Sequence, residues 1–283
     1  MNKKLFKSLT CFILTLVLIL NASLMTSAES APDTTTTEEI LLQRGFPQIV
    51  IDTMDVDAKA DIVTSDETFG GATISYYNEE EGSFTNLQIA EDGSYIMPRN
   101  QISTSSLTLN FTFSKSKSST GKLNYIKIIF NYDWEKLPVN RYQDPIGISW
   151  DNSKFEMMDN SFYKYDKYDG YKTDRTEKKT YYTNKVHSYE KGYAQATSSG
   201  VKWYADLKGY TDEIVETALY GYASFKLEPK STTYNGSSKL YGHYVHRKSV
   251  TSVSLSIPKY GASFSVTGSG SYDERGIQRT ISW

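Results

Sequence analysis

From Phe69 onward, apolar and polar positions alternate with a period of two. The alternating runs are short, rich in β-branched and aromatic residues, and bounded by Gly, Asn, Asp, Ser or Pro, which is typical of strands joined by turns. No long helical pattern separates them, although YTDEIVETALY, residues 210–220, could begin as a helical turn. The pattern predicts a mainly β protein in which residues 67–283 form one antiparallel β-sandwich-like domain.

Residues 38–66, ahead of these runs, carry helix signals instead. Thr36 and Glu39 have the spacing of a capping box, and Gly45 fits the left-handed end of a helix. The spacing predicts three short helices, buried through Leu41, Leu42, Phe46, Ile49, Val50, Met54, Ile62 and Val63. A unit of about 30 residues rarely buries enough apolar area to fold alone, so we interpret it as a helical cap on the β-domain rather than an independent docking module.

The start of the chain has the features of an export signal. Lysines precede the apolar stretch Cys11–Leu20, and small residues up to Ala28 form a cleavage site. The apolar stretch is too short to cross a bilayer core of about 30 Å as a helix. We therefore predict a cleaved signal peptide at residues 1–28, a flexible leader at 29–37 and a secreted, extracellular protein, of the kind that a bacterium with a single membrane exports.

Composition then narrows the choice of partners. The single cysteine lies in the predicted signal, so the secreted chain has no disulfide and depends on core burial for its stability. The formal charge is −2, and removing the three lysines of the signal leaves 28 basic against 33 acidic residues, or −5. A slightly acidic protein lacks the basic field that nucleic acid binding needs, so we exclude nucleic acid as a partner.

LTLNFTFSKSKSSTGKLNYIKIIFNY, residues 107–132, predicts a hairpin with two interpretations. The first run alternates strictly between apolar and Thr, Asn or Ser positions, as a membrane-spanning strand requires. In the second run, Leu123, Tyr125 and Ile129 make the other face half apolar, as in a strand buried between a sheet and a cover. We favour two sandwich-core strands and keep a membrane-active, pore-forming-like hairpin as the alternative. Its lipid-facing residues would be Leu107, Leu109, Phe111, Phe113, Ile126, Ile128 and Phe130.

Groups that could catalyse a reaction are sparse. The chain has no G-x-S-x-G, no H-E-x-x-H and no glycine-rich phosphate loop. His243 and His246 form H-x-x-H in a predicted strand, where residues three apart face opposite sides and cannot bind one metal ion together. The sequence therefore favours a non-catalytic protein without a metal or cofactor. A hydrolase that pairs two carboxylates from distant strands remains open as a further hypothesis.

The segment from Asp151 to Asp174 is dense in Asp and Asn, which raises the question of calcium. It lacks the D-x-[DN]-x-[DN]-G spacing that wraps one ion, although Asp166, Asp169 and Asp174 around Gly170 could converge in a loop. We favour a solvated turn over a calcium site.

Tyrosine is the most unusual feature of the composition. Of the 23 tyrosines, 16 lie between Tyr142 and Tyr244, interleaved with Lys and Asp. Packing at half-buried sheet positions is the simpler interpretation, and stacking on a sugar or a protein partner is the functional one.

The leading hypothesis is an exported, non-catalytic binding protein that acts through this aromatic-rich β surface. A suitable partner would be a carbohydrate or protein of the cell envelope. A membrane is a partner only under the hairpin alternative. The candidate binding residues are Tyr163, Tyr165, Tyr168, Tyr171, Tyr181, Tyr182, Tyr189 and Tyr193.

Overall fold

Antiparallel strands make up most of the computed structural model of this protein, as the period-two pattern predicts. The structure describes residues 36–96, 105–174, 179–207, 214–231, 236–249, 252–259 and 263–283. The side chains of residues 172–187, 190 and 214 are not included in this description. The predicted signal peptide and nearly all of the predicted leader lie outside the described residues.

Three short helices precede the strands, as predicted: α1 (Thr37–Gln43), α2 (Gln48–Asp52) and α3 (Val56–Thr64). Gly45 follows α1 with a φ of 86°, a left-handed conformation that glycine adopts without strain. Asp55 caps α3, because its carboxylate accepts a hydrogen bond of 2.8 Å from the backbone N–H of Asp57.

The described strands, in chain order, are β1 (Thr68–Asn78), β2 (Ser83–Ile89), β3 (Leu107–Lys117), β4 (Leu123–Trp134), β5 (Gln143–Trp150), β6 (Phe155–Met157), β7 (Tyr163–Asp174), β8 (Lys179–Glu190), β9 (Gln195–Thr197), β10 (Gly200–Asp206), β11 (Ile214–Pro229), β12 (Ser237–Arg247), β13 (Val253–Ser256), β14 (Ser265–Gly268) and β15 (Tyr272–Ser282). The described part of the ambiguous segment 210–220 belongs to β11, so it is strand rather than a helical turn.

The strands form two large sheets and a small hairpin. The larger sheet has the order β2-β1-β3-β4-β11-β7-β8, with β6 added to β11, and the smaller sheet has the order β15-β12-β5-β10-β9. The pair β13–β14 is separate. The strand β2 therefore lies at one edge of the larger sheet and β15 at one edge of the smaller sheet, whereas β3 and β4 lie well inside the larger one.

The middle of the larger sheet is buried on both of its faces. One face packs against the smaller sheet, and Phe130 of β4 contacts Trp203 and Tyr244 there, with ring centroids 5.9 Å and 6.5 Å apart. The other face packs against α1 to α3, where Ile74 and Ile129 join the apolar residues of the helices. This second layer is the predicted helical cap, although Leu42, which was predicted to be buried in it, is 45% exposed. Within the described ranges, none of the helices has the length and apolar content needed to cross a membrane.

Candidate functional site

The β3–β4 hairpin occupies the middle of the larger sheet. β3 is paired with β1 and β4 is paired with β11, so both outer sides of the hairpin are hydrogen-bonded to other strands. The seven candidate lipid-facing residues are at most 1% exposed and belong to the core between the two sheets: Leu107, Leu109, Phe111, Phe113, Ile126, Ile128 and Phe130. In this conformation the hairpin is therefore part of the sandwich core.

The opposite face of β3 is polar and is covered by the cap. Thr108, Asn110, Thr112 and Ser114 are all buried. The Asn110 amide donates hydrogen bonds to the carbonyl of Val50 (3.3 Å) and the hydroxyl of Thr53 (2.9 Å) in the cap. Buried polar groups cost free energy unless they are paired, so these bonds offset the cost of burying Asn110 beneath the cap.

The cap-facing side of β4 is more polar than the sequence pattern indicated. Leu123 packs in the core between the sheets rather than beneath the cap. Under the cap, Ile129 is the fully apolar residue of the strand, and the Asn131 side chain accepts a hydrogen bond of 3.3 Å from the backbone of Asp55. The hairpin thus keeps one apolar and one mainly polar face along both of its strands.

Charged groups strengthen the contact between cap and sheet. Lys127, which is 3% exposed, places its ammonium 2.5 Å from a carboxylate oxygen of Asp61 and 3.8 Å from one of Glu67. Glu67 is fully buried and accepts a hydrogen bond of 2.6 Å from Ser114. Burial raises the pKa of Glu67 above its ordinary value, and the charge of Lys127 opposes that rise.

Tyrosine hydroxyls and a second lysine complete this contact. The hydroxyl of Tyr165 donates to Asp55, and that of Tyr222 donates to Asp61 over 2.6 Å. The ammonium of Lys167 lies 2.7 Å from a carboxylate oxygen of Asp57. We call the whole set the cap seam: Asp55, Asp57 and Asp61 of the cap, Glu67 between the cap and β1, and Lys127, Tyr165, Lys167 and Tyr222 of the sheet. The cap is therefore held by directional polar contacts as well as by apolar packing.

A small acidic cleft of about 140 Å³ lies beside the seam, lined by Asp55, Thr108, Asp133 and Glu135 among others. Partial desolvation and the nearby carboxylates of Glu135 and Asp55 raise the pKa of Asp133 to about 6. A raised pKa of this kind suits a general acid. The cleft is nevertheless smaller than the roughly 300–1,000 Å³ of ordinary ligand pockets, so it does not favour the hydrolase hypothesis.

The eight candidate tyrosines occupy different environments. Tyr165 and Tyr168 are buried, at 1% and 0% exposure, and cannot reach a ligand in this conformation. Tyr163 and Tyr171 are half-buried, and the side chains of Tyr181 and Tyr182 lie outside the described residues. Tyr189 and Tyr193 are exposed, at 37% and 36%. The structure thus brings Tyr163 and Tyr165 together beneath the cap. Tyr189 lies at the end of β8 and Tyr193 follows the strand.

Much of the tyrosine excess serves pairs between tyrosine hydroxyls and aspartates, which sequence reasoning did not identify. The described pairs are Tyr77–Asp273, Tyr132–Asp166, Tyr165–Asp55, Tyr220–Asp169, Tyr222–Asp61 and Tyr244–Asp144. The partners are 34 to 196 positions apart in the chain. The joint abundance of Tyr and Asp was the one available signal, and it does not say which residues pair.

The two histidines of H-x-x-H face opposite sides of β12. His246 is fully buried and lies 2.9 Å from the Asp144 carboxylate, whereas His243 pairs with Glu274 over 2.9 Å. Asp144 also accepts the hydroxyl of Tyr244 and is closed off from solvent, so this cluster is a polar part of the core. Among the described residues, no group of three or more His, Cys, Asp and Glu side chains is arranged to hold a metal ion.

Three aspartates of the acidic segment from Asp151 to Asp174 are bonded within the protein, and the side chain of Asp174 lies outside the described residues. Asp151 accepts hydrogen bonds from the backbone and hydroxyl of Ser153, which forms a turn. Asp166 is buried against Lys164, and Asp169 accepts from Tyr220. Since residues three apart on β7 face opposite sides, Asp166 and Asp169 do not converge.

Comparison with known proteins gives distant structural likenesses only. No family model matches the chain, and no curated protein matches it. Three solved structures, each 8% identical, are similar in part. A chain titled "Pore forming protein" covers 62% of this chain and 85% of its own, with a TM-score of 0.27. Clostridium perfringens delta-toxin covers 74% and 92% (TM-score 0.26), and the Clostridium perfringens NetB toxin in its membrane-inserted form covers 77% and 97% (TM-score 0.27). At these scores the likeness carries no argument about function.

Proposed function

We propose that this protein is a secreted, membrane-active β-protein that stores the β3–β4 hairpin beneath its helical cap. The observation that carries the proposal is the polar, buried row Thr108, Asn110, Thr112 and Ser114, which backs onto a wholly apolar face. A sheet that is permanently covered on both sides gains more stability from apolar residues on both faces. A strand that must later separate lipid from water needs the alternation that is found here.

The dimensions of the hairpin agree with this role. β3 has 11 residues and β4 has 12, and a membrane-spanning strand needs about 9–11. Insertion requires the cap seam to open and the ladders to β1 and β11 to part, because both strands are paired on their outer sides. The form described above is accordingly the closed, water-soluble state of the proposed protein.

Release of dye from loaded lipid vesicles tests the proposal. The chain without residues 1–28 is expected to release dye, and Thr112→Val is expected to reduce the release because it makes the water-facing side of the inserted strand apolar. Thr73→Val is the control for a buried Thr→Val exchange, since Thr73 is equally buried in the neighbouring β1. The Thr73 hydroxyl makes no described hydrogen bond, whereas that of Thr112 donates to Asn110, so the unfolding midpoint of each variant is measured beside its dye release. Failure to release dye at any tested lipid composition or pH would refute the proposal, as would equal loss of release in the two variants.

A second candidate is binding to a carbohydrate or protein of the cell envelope, and the exposed rings of Tyr189 and Tyr193 favour it. They flank the turn at Lys191 and Gly192, and the Lys164 ammonium lies 4.7 Å from the centre of the Tyr189 ring. The double variant Tyr189→Ala/Tyr193→Ala should then lose capture of envelope material. The double variant Tyr163→Phe/Tyr171→Phe, which keeps the rings, should retain it. Unchanged capture by the first double variant would remove this candidate.

A further inference from the structure

An open cleft of about 480 Å³ lies between the edges of the two sheets. The edge strand β2 contributes Asn86 and Gln88, and the edge strand β15 contributes the segment 275–280. Arg275, Ile277 and Arg279 alternate onto one face of β15, and Ile277 packs into the core between the sheets. The two arginines are therefore directed to the inside of the sandwich, at its open side.

These arginines lack the acidic partners that a half-buried guanidinium normally has. The Arg279 side chain donates a hydrogen bond of 2.6 Å to the carbonyl of Ile89, and the Arg275 side chain makes no hydrogen bond or ion pair within the described part of the chain. The Nε atoms of both are buried without a described partner. Burial lowers the pKa of both guanidinium groups, yet arginine stays charged at neutral pH. Buried charges are usually paired, so the site has unused capacity for an anion.

The nearby acids are committed elsewhere. Asp273 pairs with Lys248 and accepts the Tyr77 hydroxyl, and Glu274 pairs with His243. Among the described residues that line the cleft, none is acidic.

The side chains of β2 add neutral donors to the cleft. The Asn86 carbonyl accepts a hydrogen bond of 2.7 Å from Ser75, which leaves its NH₂ group to donate, and Gln88 lies on the same face of the strand. The cleft therefore combines two positive charges with amide donors.

We propose that this cleft binds a sugar that carries two or more phosphate or sulfate groups. Arg275 and Arg279 are about 13 Å apart along the strand, so they bracket a ligand with separate anionic groups rather than grip a single one. Guanidinium groups match the oxygens of phosphate and sulfate esters with paired hydrogen bonds. The mainly polar lining suits hydroxyl groups and not an acyl chain. A sulfated glycan and a phosphoinositide headgroup share this chemistry, and the site does not depend on the hairpin or the cap.

Calorimetric titration with sucrose octasulfate and with inositol hexakisphosphate tests the site on the chain without residues 1–28. Co-sedimentation with phosphatidylcholine vesicles, with and without phosphatidylinositol bisphosphate, distinguishes a lipid from a soluble source. Arg275→Gln should weaken binding about tenfold, because it removes one charge-assisted contact. Its thermal unfolding should be unchanged, since the Arg275 side chain makes no described hydrogen bond or ion pair.

Lys154→Gln is the matched control, because it removes the same charge from an exposed position in the turn before β6, outside both the cleft and the hairpin. Binding to either soluble probe or to the inositide vesicles, with loss in Arg275→Gln and none in Lys154→Gln, supports the site. Binding to none of them overturns the proposal, and so does an equal effect of the two variants, which would indicate attraction by net charge alone.

Discussion

Replacement of Lys127 by methionine tests the energetics of the cap seam. Lys127 is 3% exposed, and its ammonium lies 3.8 Å from the fully buried Glu67. At an effective dielectric constant of about 20, charges at this distance of 3.8 Å attract by about 4 kcal/mol. Asp61, the other carboxylate beside Lys127, is 40% exposed, so solvent screening makes its contribution to the stability small. Breaking a buried pair costs about 3–5 kcal/mol, which agrees with this figure.

The expected result is a loss of about 3–5 kcal/mol in the free energy of unfolding near pH 7, measured by urea denaturation. Glu67 then lacks its counter-charge, and its pKa, already raised by burial, should rise further. An acid with a raised pKa in the folded state destabilises that state above this pKa, and the penalty disappears as the pH falls through it. Lys127→Met should therefore recover part of its stability near pH 5.

The double variant Lys127→Met/Glu67→Gln is the control, because a neutral amide can still accept the Ser114 hydroxyl and needs no counter-charge. It should restore most of the stability at neutral pH. A loss below about 1 kcal/mol for Lys127→Met, or no recovery in the double variant, would refute the view that a buried ion pair holds the cap.

Three further predictions concern single sites. Asp133→Asn should raise the free energy of unfolding near pH 7 by about 1 kcal/mol after discounting for solvent screening, with no gain near pH 4, because the native carboxyl has a pKa of about 6 and destabilises the fold when ionised. Urea denaturation against pH checks this, and an unchanged profile would contradict it. Tyr244→Phe should cost about 1–3 kcal/mol, since buried Asp144 loses a donor, and thermal unfolding of the variant measures it. Gly221→Ala should cost about 1–3 kcal/mol because its new methyl group would clash with a ring on the adjacent β4, whereas Gly242→Ala has room for the methyl group. Equal effects of the two glycine substitutions on the unfolding midpoint would contradict this.

The elements were predictable from the sequence because their signals are local. Alternation identifies β3 and β4, and Gly45 marks a helix end where the structure has one. What each face of a strand packs against is less predictable from the sequence. Leu123 was expected on the same face as Ile129, yet it packs between the two sheets. The reason is that the hairpin register shifts between Ser116 and Lys117 near the turn.

The cap seam and the arginine cleft depend on contacts between residues far apart in the chain, and no local pattern in the sequence indicates such contacts. Tyr165 lies among Lys and Asp in the sequence and was a candidate binding residue. In the structure, the cap places Asp55 over its hydroxyl and buries its ring. Arg275 and Arg279 look like ordinary exposed charges near the end of a strand. Their cleft exists because β2 and β15 are edge strands of different sheets that come together at one side of the sandwich.

Hydrogen–deuterium exchange on lipid vesicles tests most directly whether the hairpin is stored beneath a releasable cap. Exchange of the chain without residues 1–28 would be compared in buffer and with vesicles, at amides of the cap, 38–66, and of the hairpin strands, 107–134. We expect vesicles to increase exchange in the cap while the hairpin stays protected, because its strands move from one hydrogen-bonded ladder to another. Exchange that vesicles leave unchanged in both segments would contradict the account.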